Sequence, residues 1–164
     1  MSCRGYFLGL TDADVSEFAS LASDSYEMME FANETLYIRC EPDWVTFVDK
    51  SWDAIHRCLT NGYMLPDPSN PMARCILGVQ EIDTADNWIV GLCFPEDVKE
   101  IDLAIRHLDR DWLHKKYWAL PKDEYGIFMS EDDFEYTWDY FRDTQDFFRR
   151  AAASGRHSLF IADQ

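Results

Sequence analysis

The chain has 164 residues, the size of one ordinary domain and too short for two. At 47% hydrophobic and 28% charged it reads as globular, and aromatic residues, at 15%, supply ample core material. Its 31 acids against 15 lysines and arginines leave a formal charge of −16. That field repels nucleic-acid phosphate and anionic lipid and attracts basic partners, so composition argues against nucleic-acid binding and membrane attachment.

In chain order, Tyr6 to Leu10 reads as a short buried strand. Thr11 and Asp12 offer N-cap oxygens, and Asp14 and Glu17 favour a helix N-terminus. Val15, Phe18, Ala19 and Ala22 follow as its apolar stripe. Leu36 to Cys40 reads as another strand or a connection, ended by Pro42. Trp44, Phe47 and Val48 lead into a helix over Ser51–Thr60 with Trp52, Ile55 and Leu59 on one face, stopped at Asn61-Gly62. Pro66 to Pro71 is a surface loop. Cys75–Val79 and Trp88–Phe94 read as strands, each holding a glycine that suggests a bulge. Pro95 opens a helix with Val98, Ile101, Ile105 and Leu108 inward.

Pro121 to Ser130 is irregular. From about Glu131 the strongest helical pattern begins, with Phe134, Trp138, Phe141, Phe148 and Ala152 on one face and Gln145 as its polar interruption, ending at Ser154-Gly155. His157 to Ile161 is a closing strand. Strands and helices are interspersed without regular βαβ alternation, so the expected class is α+β: one compact domain over residues 1–164, with a mixed or antiparallel sheet packed by amphipathic helices.

The start of the chain has no signal-like apolar segment, and no apolar run is long enough to span a membrane. Five cysteines (3, 40, 58, 75 and 93) form no C-x-x-C, which disfavours a zinc knuckle or redox pair and fits reduced thiols in the cytoplasm. Single, scattered glycines exclude a phosphate-binding loop or dinucleotide fingerprint, and no zincin or nucleophile-elbow motif occurs. On one helix His107 and His114 would lie about 10 Å apart, too far to share a metal. Asp53 and His56, three apart, form the best candidate for an oriented imidazole. Cys58 lies about 200° round the helix from His56, a poor geometry for a thiol–imidazole pair. No metal and no cofactor are expected, and no catalytic residue is assigned.

The densest charge lies between Asp123 and Asp146, where nine acids face a single Arg142. In the helix, Glu135, Asp139, Asp143 and Asp146 fall opposite the Phe134–Phe148 stripe. Such a row repels itself by a few tenths of a kcal/mol per i,i+4 pair, so it reads either as a solubilising surface or as a docking face for a basic protein. The expected docking residues are Asp123, Glu124, Glu131, Asp132, Glu135, Tyr136, Asp139, Tyr140, Asp143 and Asp146, with the tyrosines as anchors.

Several segments resemble the YfbM-like family, domain of unknown function 1877. They are RGYFLGL from Arg4 to Leu10, VDKSWDAIHRCLTNG from Val48 to Gly62, Ile76 to Gly78, Pro95 to Val98, and the Tyr140-Phe, Phe147-Phe148 and Ala151-Ala152 pairs. Asp49-Lys-x-Trp52-x-x-x-His56 is the most distinctive piece. The resemblance implies a single α+β domain with no established catalytic residues, and for some relatives encoded near secreted toxins it suggests an immunity role. The segment from Lys122 to Asp133 is more acidic and aromatic than the family norm, which suits a partner-specific surface. The expected function is thus a non-enzymatic cytoplasmic binding protein, monomeric or weakly dimeric, that neutralises a cognate toxin by covering a basic region. The alternative is a small-molecule site or enzyme with a pocket at Asp49, Trp52, Asp53 and His56.

Overall fold

The structure is a computed structural model that describes residues 4–21, 24–82 and 88–162. Its class is α+β. Strands β1 (Gly5–Leu10), β2 (Val45–Asp49), β3 (Gln80–Glu81), β4 (Ile89–Cys93) and β5 (His157–Ala162) form one sheet in the order β2-β1-β5-β4-β3. Every pairing is antiparallel. The central strands β1 and β5 are covered on both faces, so both read as near-continuous apolar runs, without the alternation of a half-exposed strand.

The two faces carry different helices. Leu8, Leu10, Leu159 and Ile161 pack with Val15 and Phe18 of α1 (Asp12–Ser20) and with Met28 and Met29 of α2 (Ser25–Glu30). Phe7 and Phe160 face the larger core instead. It is built by α4 (Trp52–Leu59), α5 (Pro71–Leu77), α6 (Pro95–Ile105), α7 (Arg110–Tyr117) and α9 (Glu131–Ser154), with the single turn α8 (Lys122–Tyr125) beside it. Phe134, Phe141, Phe147 and Phe148 of α9 are fully buried there, each worth roughly 1.5–3 kcal/mol of apolar transfer. Half-buried Gln145 donates its amide to the Ile105 and Leu108 carbonyls at 2.7 and 2.9 Å, which satisfies the end of α6.

Several sequence expectations are corrected. Leu36–Arg39 is helical, with Cys40 its extended C-cap: α2 runs through a π-helical stretch, Phe31–Leu36, into α3 (Tyr37–Arg39), burying Met28, Met29, Ala32 and Leu36. Cys75–Val79 is not a strand. Asn70 caps α5 through the Met72 N–H, Pro71 occupies its first turn, and the apolar run is the buried side of a short helix. Gly91 of β4 marks no bulge; it lets β4 approach that helix, since a Cβ there would lie 2.4 Å from the Ile76 carbonyl oxygen.

Val45–Asp49 is a strand and not a lead into α4. His107 and His114 do not share a helix, because α6 ends at Ile105 and Asp109 caps α7 through the Trp112 N–H at 2.8 Å. In α1 the stripe reduces to Val15 and Phe18; Ala19 is exposed, and Ala22 lies outside the described residues. No helix among the described residues is long and apolar enough to cross a membrane.

Candidate functional site

Helix α9 begins where Ser130 caps the Asp133 N–H at 3.2 Å, with three acids in its first turn facing the helix dipole. Burial of the phenylalanine stripe turns the opposite side to solvent, and Glu135, Asp139, Asp143 and Asp146 are all exposed. The expected self-repulsion is offset by arginines, two at i,i+3 on α9 itself and one from α7 that spacing along the helix does not reveal. Glu135 pairs with Arg110 of α7, Asp139 with Arg142 at 2.6 Å, and Asp146 with Arg149 at 2.8 Å. Exposed pairs of this kind contribute under about 1 kcal/mol each and exchange readily. Asp143 is the strained member. Partial burial raises its carboxyl pKa, and neighbouring Asp146 and Asp139 add to that rise while Arg142 opposes it.

The remaining expected docking residues divide. Asp123 and Glu124 on α8, and Glu131 and Asp132 at the start of α9, are exposed. Glu131 lies 3.4 Å from His114 Nε2, whose ring stands edge-on to Phe134. Asp133, from the same acidic run, turns inward and accepts from the Tyr117 and Tyr125 hydroxyls at 2.6 and 2.9 Å. It ties α7 and α8 to α9. Tyr136 is similarly committed: its hydroxyl oxygen accepts from the Lys50 N–H at 3.1 Å, and burial pushes its pKa up to about 12.

Tyr140 stacks edge-on against Tyr136 at 4.9 Å and borders a groove of about 410 Å³ between α9 and β2. Val45, Thr46, Phe47, Asp143, Asp146 and Arg150 complete that groove. Phe47, 53% exposed, was not singled out by the sequence, although alternation along Val45–Asp49 marks it as the outward residue of a strand. Phe128, 88% exposed in the loop before α9, is a second apolar residue beside the acids.

The structure does not bring Asp49, Trp52, Asp53 and His56 together. Trp52 is 3% exposed and packs against the Phe160 ring. A Cβ at Gly5 would sit 2.7 Å from its indole, so that glycine makes room for it. Asp53 pairs with Arg57, whose Nε reaches both carboxylate oxygens at 3.0 and 2.9 Å while Nη1 donates to the Gly62 carbonyl at 3.1 Å. His56 is fully buried, with Nε2 3.3 Å from the Leu65 carbonyl oxygen. Desolvation depresses its pKa to about 4. The Asp53–His56 pair therefore does not form: the i+4 guanidinium takes the carboxylate.

Asp49, at the left-handed turn (φ 44°) ending β2, pairs with Arg4 at 3.5 Å on the α9 side. Trp52 and Asp53 do line a cavity of about 390 Å³, with Arg57, Met64, Leu77 and Trp88. Cys40, Cys58, Cys75 and Cys93 are free thiols, and burial raises the pKa of each, to about 12 for Cys58 and Cys93; Cys3 lies outside the described residues. No group of three or more metal-ligating side chains occurs among the described residues.

This arrangement of sheet, helices and C-terminal strand is shared with a known family and a solved structure. Residues 1–161 match the family described as domain of unknown function DUF1877, and the chain belongs to that family. Protein YfbM of Escherichia coli (strain K12) is 24% identical over 129 residues, covering 78% of this chain and 74% of that protein. The crystal structure of YfbM from Escherichia coli, described as a protein of unknown function, superposes with a TM-score of 0.69 at 19% identity. It covers 97% of this chain and 99% of that one. The likeness carries the fold.

Proposed function

We propose that this chain is a non-enzymatic cytoplasmic binding protein that neutralises a cognate secreted toxin by docking the outer side of α9 on a basic region of it. One observation carries the reading. Tyr140, Asp143 and Asp146 meet exposed Phe47 in a single groove, a combination of charged rim and aromatic anchor that suits a protein interface. The net charge of −16 would steer a cationic partner toward it. The chain acts as a monomer or weak dimer, and the acids at Asp123, Glu124, Glu131 and Asp132 extend the face past Phe128. The test is protection of cells expressing the toxin. A chain carrying Lys at 135, 139, 143 and 146 should fold and fail to protect; equal protection makes the face a solubilising surface only.

A second reading rests on the cavity beside Trp52, where two indoles and a largely buried carboxylate–guanidinium pair adjoin apolar walls. Such a lining suits a flat apolar ligand with one polar group. Thermal stabilisation by a metabolite, insensitive to salt, would favour this reading over docking.

A further inference from the structure

Strand β2 ends the sheet. It bonds β1 on one side, and among the described residues no strand pairs with its other side. An unpaired edge presents a row of backbone donors and acceptors, which proteins commonly blunt with lysine, proline or inward charge. The stretch Val45-Thr46-Phe47-Val48 has none of these. A register shift opposite Gly5 and Tyr6, and the left-handed turn at Asp49, close the ladder only at the far end.

The groove beside α9 follows this edge. Successive side chains of a strand point to opposite faces, yet Val45, Thr46 and Phe47 all line the same groove. What three consecutive residues share is the strand's edge. The two sides of that edge differ in chemistry. On one, Phe47 clusters with Tyr6 at 6.1 Å and Tyr37 at 6.2 Å, with Ile38 76% exposed next to Tyr37 in the chain. On the other stand Tyr140, Asp143 and Asp146. Arg150, which lines this groove, is held by the Asp43 carbonyl and the Thr46 hydroxyl, and Asp146 pairs with exposed Arg149.

We infer that β2 accepts an extended segment of the basic partner as an added edge strand. In that segment, residues alternate between cationic side chains toward α9 and apolar ones toward Phe47 and Tyr37. The inference rests on the docking reading above and specifies its geometry: main-chain bonds to β2 supply the register, and the two faces of the edge read alternate side chains. Asp143 makes no ion pair among the described residues, whereas Asp139 and Asp146 beside it do, which leaves one carboxylate of the groove open to a partner's cation. A second copy of this chain is a poorer occupant, because its own β2 offers Thr46 and Val48 where cations are required and brings a second acidic row against the first.

The test uses the full chain, isotope-labelled, and a short capped peptide of alternating Lys and Ile, read by amide shifts and affinity. Three further peptides accompany it: the same composition in block order, one N-methylated at every Lys, and one N-methylated at every Ile. The alternating peptide should shift the amides of residues 45–47 and bind about tenfold more tightly than the block peptide. In an added strand, residues of one parity point their N–H groups at β2. One N-methyl series should therefore lose about tenfold or more and the other little, as expected for lost hydrogen bonds.

Equal binding by all four peptides overturns strand addition and leaves acidic docking standing. Parity-dependent binding that persists in the Asp143→Lys/Asp146→Lys variant overturns the role of α9 and leaves strand addition standing. No binding at millimolar peptide, or a concentration-dependent dimer of the chain that protects the β2 amides, overturns the inference outright.

Discussion

Helices α4 and α9 are both amphipathic and both carry charged residues beside aromatic ones, but they use them in opposite ways. On α4, Asp53 and Arg57 close on each other, His56 is sealed under Leu65, and the tryptophan faces the sheet. Titratable groups there are absorbed by the fold. On the outer side of α9, each acid stays in water, and three of the four have an arginine that is itself exposed. A partner's cations can displace such arginines at little cost. A residue pattern that looks chemical thus has to be weighed by what lies above it: burial removes His56 from acid–base work, whereas exposure keeps Asp143 available.

The largest effect expected from this contrast is at Trp52. Trp52→Ala should cost about 3–5 kcal/mol in urea unfolding, as deletion of a buried ring does. Near-native stability with loss of binding would instead move the functional site into the cavity beside Trp52.

His56 should make the α4 side pH-sensitive. Its folded pKa of about 4 lies below the ordinary imidazole value of 6.5, so the unfolded chain takes up the proton first. The associated stability is complete above pH 6.5 and is lost as pH falls toward 4, by up to about 3 kcal/mol. The raised pKa of Asp53 opposes part of this loss at the acid end. Urea midpoints of wild type and His56→Leu across this window should diverge, with the variant the flatter; parallel curves would show that His56 is not desolvated.

Within the acidic segment the same contrast recurs on a smaller scale. Asp133→Ala removes the acceptor for two tyrosine hydroxyls and should cost about 2–3 kcal/mol. Asp139→Ala removes an exposed pair and should stay within about 0.5 kcal/mol. Equal costs, measured by denaturant titration, would break the division between structural and surface acids.

Periodicity was enough to place α9, α6, β1, β4 and β5, because each buries a regular stripe or a short apolar run bounded by turn residues. It misassigns residues 75–79 because a buried helical turn and a buried strand present the same apolar run; Asn70 and Pro71 were the overlooked helix start. The α2–α3 segment escapes because its π-helical stretch shifts the 3.6-residue period between Met28 and Leu36. At the candidate site, the outward direction of Glu135, Asp139, Asp143 and Asp146 follows from the phenylalanines opposite. Arg110 meeting Glu135 and Phe47 meeting Tyr140 across the groove do not, since both depend on how distant elements dock. The Asp53–Arg57 pair was legible at i,i+4, and it competes with His56 for the same carboxylate.

In the proposed function the outer side of α9 steers a basic partner. Its most direct test is the association rate of the cognate toxin with wild type and with the chain carrying Lys at 135, 139, 143 and 146, across a salt series. The variant should keep its thermal midpoint to within a few degrees while its association slows by about tenfold or more at low salt, and the two rates should converge as screening shortens the reach of the charges. Equal rates at every salt concentration, from a variant that folds normally, would contradict steering by α9.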